Sequence, residues 1–108
     1  MSSRLSRTER RLLFAYEDEL RKQGNPRRLA QQLGALAAFL VWLKRRELEL
    51  QRAEHEDLGA YRRDLHTRGE VRRFDAVRDL YRFLRRRRLL QRDPAATIER
   101  PRPRRKPR

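Results

Sequence analysis

The stretch Gly24-Asn25-Pro26-Arg27-Arg28-Leu29-Ala30-Gln31-Gln32-Leu33-Gly34-Ala35-Leu36-Ala37-Ala38-Phe39-Leu40-Val41-Trp42-Leu43-Lys44-Arg45-Arg46-Glu47 decides the fold class. Its first three residues close one helix and open another. Gly24 suits a left-handed cap, Asn25 an N-cap, and Pro26 the first helical position. From Pro26 to about Glu47, Leu29, Leu33, Leu36, Leu40 and Leu43 recur at helical spacing, while Ala35, Ala38 and Trp42 lie away from that stripe. A helix that is apolar or small nearly all round belongs at the centre of a bundle. Arg27 and Arg28 make its start basic, and Lys44, Arg45 and Arg46 its close, where cations complement the helix dipole.

Three more helices flank this one. Before it, Leu13, Tyr16 and Leu20 predict a helix from about Thr8 to Gln23, capped by Ser6 or Thr8. After it, Leu58, Tyr61 and Leu65 give a short helix from about Glu54 to Thr67, ended by Gly69, with Arg62, Arg63 and Arg68 as its basic side. A fourth covers about Glu70 to Arg87. Phe74, Val77, Leu80, Tyr81 and Leu84 face one way, and Arg72, Arg78, Arg82 and Arg86 lie on or near the other side. Asp75 and Asp79 stand three residues before Arg78 and Arg82, within pairing reach. No segment alternates like a strand. The expected fold is all-α, a compact bundle of four main helices over residues 1–94. Residues 95–108, with Pro101, Pro103 and Pro107 among basic residues, form a flexible basic tail that cannot build a core.

Composition narrows the function. The 108 residues hold 30 Lys and Arg against 15 Asp and Glu, a formal net charge of +15 that an anionic partner would neutralise, most often nucleic acid. All but Lys22, Lys44 and Lys106 of the cations are arginine, whose planar fork grips phosphate or a guanine edge with two hydrogen bonds. With no cysteine, thiolate metal sites and cysteine nucleophiles are excluded. His55 and His66, if on one helix, stand about three turns apart and cannot share a metal ion. Glu54, Glu56 and Asp57 read as helix-start carboxylates rather than an acid–base set. Tyr16, Tyr61 and Tyr81 fall on apolar stripes and read as core. No phosphate-cradling glycine loop or nucleophile elbow is present. No metal, cofactor or small-molecule ligand is therefore expected, and no enzyme activity. The start lacks the apolar stretch of a signal peptide, and the longest apolar run, Leu33 to Leu43, is about half of the ~20 residues that span a membrane.

The C-terminal third carries a family resemblance. Val77-Arg78-Asp79-Leu80-Tyr81-Arg82-Phe83-Leu84, then Leu89-Leu90-Gln91-Arg92-Asp93-Pro94-Ala95, resembles the end of the core-binding domain of tyrosine recombinases and phage-type integrases. That family shows an L-R-x-F-Y-x-F-L helix, then G-L-I, N-P-A and a basic proline-rich linker. Arg78, Tyr81, Phe83, Leu84, Leu89, Pro94 and Ala95 match, and Pro101 to Arg108 is similar to the linker. Gly24-Asn25-Pro26 keeps the turn of the family's G-L-S-P-x-T signature, with Arg28 where threonine is usual and Gln32 where tyrosine is common. Glu56 to Leu65 is similar to the third helix. Gly69 stands near the threonine that normally begins the fourth helix, and Arg88 replaces the glycine that often ends it.

The resemblance implies a SAM-like orthogonal bundle acting as one arm of a clamp on a DNA half-site. Its partners would be double-stranded DNA and other recombinase protomers, and its setting a prokaryotic, nucleoid-associated cytoplasm. The catalytic domain that follows in the family is missing from this chain, so no strand cleavage is expected. The DNA-contacting residues expected are Arg27, Arg28, Gln31 and Gln32 from the second helix, Arg72, Arg73, Arg78, Arg82 and Arg86 from the fourth, and Arg104 and Arg105 in the tail. Two other readings accompany this one: an RNA-binding or ribosome-associated basic protein, and an interaction module whose apolar surface docks a partner protein, for which Phe83, off the main stripe of the fourth helix, is a candidate contact with partial burial against another helix as its equal alternative.

Overall fold

The structure, a computed structural model, describes residues 5–96 and 98. Among them the protein is all-helical, as the sequence predicts. Helix α1 spans Arg7–Lys22, α2 Pro26–Arg45, α3 His55–Thr67 and α4 Phe74–Arg86. Two 3-10 turns that the periodicity does not reveal, Leu50–Arg52 and Val71–Arg73, lead into α3 and α4. None of these helices is long and apolar enough to cross a membrane.

Local chemistry sets the boundaries. Ser6 caps α1 by accepting from the Glu9 backbone N–H at 3.1 Å, while the Glu9 carboxylate accepts from the Ser6 N–H at 2.9 Å. Asn25 caps α2 by accepting from the Arg28 N–H at 3.1 Å, with Pro26 in the first turn. At α3 the Asp57 carboxylate accepts from the Glu54 N–H at 2.8 Å, the capping role read from the sequence. Each helix is followed by a residue of positive φ, namely Gly24, Glu47, Gly69 and Arg88. After α2, α3 and α4 the next residue's N–H closes the end onto a carbonyl five residues back: Leu48 onto Leu43, Glu70 onto Leu65, and Leu89 onto Leu84.

Helix α2 touches both α1 and α4, and α1 also touches α4. The face that α2 buries is rotated from the leucine stripe expected of it. Ala35, Leu36, Phe39, Trp42 and Leu43 are buried, whereas Leu29, Leu33 and Leu40 are only partly so. Phe39 lies at the centre, its ring 4.9 Å from Tyr61 and 6.3 Å from Tyr81, and Trp42 lies 5.0 Å from Tyr61 with the two rings tilted. Aromatic rings at these separations add to burial through their edge-to-face electrostatics. Phe83, read from the sequence either as a docking contact or as a residue partly buried against another helix, is buried 5.3 Å from Tyr16, where it joins α4 to α1. Pro94, Ala95 and Ile98 are buried too, so the packed body runs past the boundary expected at residue 94.

One buried polar cluster fastens the C-terminal end of α2. Glu9 is fully buried on α1 and accepts from Lys44 Nζ at 2.6 and 2.7 Å and from the Leu50 N–H at 2.8 Å. Burial alone would raise the Glu9 pKa. The Lys44 ammonium and the N–H groups of Ser6 and Leu50 outweigh it and hold the carboxyl below its ordinary value. Beside it the Tyr81 hydroxyl donates to the Leu50 carbonyl at 2.7 Å, which fixes the first 3-10 turn against α4.

Candidate nucleic-acid interface

The N-terminal half of α2 has the opposite character. Arg27 and Gln31, one turn apart, are both exposed. The 3-10 turn before α4 sets Arg72 and Arg73 opposite them, also exposed. Between the two elements runs an open groove of about 480 Å³, lined by Ala30, Gln31, Gln32, Gly34, Ala35, Arg72, Arg73 and Ala76. Its lining holds two arginines, two amides and no carboxylate. Ala30, Gly34, Ala35 and Ala76 are the small residues of that lining. A Cβ added at Gly34 would meet nothing within 4 Å, so packing does not require glycine there. Glycine inside a helix costs about 0.5–1 kcal/mol relative to alanine.

A second cleft adjoins the first. It is lined by Tyr16, Glu19, Gln23, Arg28, Asp79, Arg82, Phe83 and Arg86. Gln32 Nε2 donates to the Tyr16 hydroxyl at 3.1 Å, linking the lining of one cleft to that of the other. Here two of the three lining arginines meet a carboxylate. Arg28 lies 3.6 Å and Arg82 4.0 Å from the two oxygens of Asp79, the latter pair at the three-residue spacing seen in the sequence. Arg87 reaches across to Glu19 at 3.2 Å, with its guanidinium 5.3 Å from the Phe83 ring.

The predicted contact residues therefore sort into groups. Arg27, Gln31, Arg72 and Arg73 are exposed around or beside the first groove, and Gln32 lies in its half-buried wall. Arg28, Arg82 and Arg86 line the second cleft. Arg104 and Arg105, and most of the tail, lie outside the described residues. Arg78 departs from the expectation. It is 5% exposed, its guanidinium donates to the Ile98 carbonyl and lies 5.2 Å from the Phe74 ring, so it anchors the chain's return across α4 rather than facing a partner. Asp79 is the residue of this face that the sequence did not connect to α2. The signal for Arg28–Asp79 is purely tertiary, whereas Asp79–Arg82 was legible from spacing.

The hydroxyls of Tyr16, Tyr61 and Tyr81 belong to buried residues, and burial raises the pKa of each. Among the described residues no three His, Cys, Asp or Glu side chains converge as metal ligands. His55 and His66 sit at the two ends of α3, both exposed. Comparison with protein-family models, curated proteins and solved structures returned no match.

Proposed function

We propose that this chain is a double-stranded DNA-binding module without catalytic activity of its own, and that it serves as the core-binding arm of a tyrosine recombinase. One observation carries the DNA reading: Gln31, Arg72 and Arg73 line a groove without a carboxylate in its lining, with exposed Arg27 one turn away. Arginine recognises guanine and glutamine adenine by paired hydrogen bonds in the major groove, which is wide enough to admit an α-helix. The deep, narrow major groove of A-form RNA is not. Phe83, a candidate contact for the protein-docking reading, is buried. The recombinase assignment rests on the resemblance of Val77 to Ala95 and of the basic tail to that family.

The test is binding to a random duplex pool across a salt series, with structured RNA as competitor. Each phosphate neutralised adds about −0.9 to the slope of log K against log salt. Arg73→Ala is expected to reduce that slope by about 1 if Arg73 contacts phosphate. If it reads a base, it costs about 1–3 kcal/mol at one base pair. Preference for RNA, or indifference to Arg72→Ala and Arg73→Ala together, would overturn the reading.

A further inference from the structure

Two guanidiniums of the second cleft converge on one carboxylate. Arg28 Nη2 is 3.6 Å from Asp79 Oδ2, and Arg82 Nη1 is 4.0 Å from Oδ1. Arg28 is steadied from its other side as well, because its Nε donates to Gln23 Oε1 at 3.2 Å. The three charged side chains are only partly covered: Asp79 is 30% exposed, Arg28 42% and Arg82 53%. Both separations exceed hydrogen-bond length, so the arginines are held by Coulombic attraction at a wet surface and little is lost on parting them. A phosphodiester offers the same pair of anionic oxygens and accepts closer, charge-assisted bonds from arginine.

We propose that Asp79 is an internal phosphate surrogate: a positioning residue that holds Arg28 and Arg82 in place and competes with any nucleic-acid backbone for them. This deepens the duplex-binding reading and rests on it. The competition acts at phosphate, which carries no sequence information, so it lowers affinity for all duplexes by the same factor. The first groove, with no carboxylate in its lining, is left to discriminate.

The test compares the wild type, Asp79→Asn, Asp79→Ser and Arg73→Ala on a random duplex and on a duplex selected for tight binding, each at three salt concentrations. Both Asp79 variants are expected to bind the two duplexes about two- to fivefold more tightly at low salt, with slopes steeper by about 1 to 2. A role confined to stability would shift the unfolding midpoint without steepening the slope. If the wild type binds duplex and Arg73→Ala weakens it, yet both Asp79 variants bind equally or less well than wild type, the surrogate proposal falls and the duplex reading stands. If the wild type binds neither duplex, both fall.

Discussion

The two halves of α2 are built from the same helix and used in opposite ways. In the C-terminal half, Phe39, Trp42 and Leu43 are buried, and Lys44 closes on a fully buried Glu9 at 2.6 Å. In the N-terminal half, Arg27, Ala30, Gln31 and Gly34 are exposed, and Arg28 meets a partly exposed Asp79 at 3.6 Å. A charge pair removed from water must be held by close geometry and further hydrogen bonds. Glu9 has them from Ser6 and Leu50. A pair left in water contributes little to folding and can exchange partners. One helix thus joins a fixed end to an available one.

The contrast is open to measurement, beginning where the expected effect is largest. Glu9→Ala takes the carboxylate acceptor from the Ser6 and Leu50 N–H groups and leaves Lys44 only the Leu48 carbonyl at 3.3 Å, and it should cost about 3–5 kcal/mol in urea unfolding with little change in m. Asp79→Ala should cost under about 1 kcal/mol, and a cost equal to that of Glu9→Ala would break the comparison. Acid sharpens the same point. The folded pKa of Glu9 lies below its ordinary value of 4.5, so its contribution is fully present above that pH. It is lost as pH falls through 4.5 toward the folded value, and the urea midpoint of the wild type should drop there more steeply than that of Glu9→Gln. At the close of α2, Glu47→Gly should stabilise by up to about 1 kcal/mol, because glycine adopts the φ of 58° without strain. Smallest is Gly34→Ala, expected to raise stability by about 0.5–1 kcal/mol in the same assay while weakening duplex binding by crowding the groove. A gain in both would show that the glycine serves no partner.

Much of the architecture was legible because it is written in local chemistry. Ser6, Asn25-Pro26 and Gly69 mark helix ends through caps and φ preferences that do not depend on the rest of the chain. Glu47 and Arg88 do the same work as Gly24 and Gly69 without the residue that announces it. They are held there by the bonds from Leu48 to Leu43 and from Leu89 to Leu84, which only the folded chain supplies. The phase of α2 was hidden for another reason. A helix with apolar or small side chains on most sides allows several stripes, and the ring of Tyr61 selects the one centred on Phe39. Arg78 shows the limit of reading arginines as surface. Its long apolar stem and wide fork suit a buried backbone carbonyl as well as a phosphate, and periodicity does not distinguish them. For the interface, side-chain type and helical phase pointed to Arg27 and Gln31, and the spacing of Asp79 and Arg82 was visible. The meeting of Gln31 with Arg72 and Arg73 depends on how α4 is set against α2, which no local signal encodes.

The buried Glu9 also constrains how this sequence can drift over generations. Because its carboxylate takes two backbone N–H groups besides Lys44, reversing the pair with Glu9→Lys and Lys44→Glu would set a cation against Ser6 and Leu50, which present only donors there. Acid and base on these helices cannot trade places, even by simultaneous change. Descendants of this chain should inherit the acid on α1 and an N–H-bearing residue at position 50 while arginines away from the two clefts reshuffle, so that a lineage could be followed by its hidden anion as well as by its visible cations.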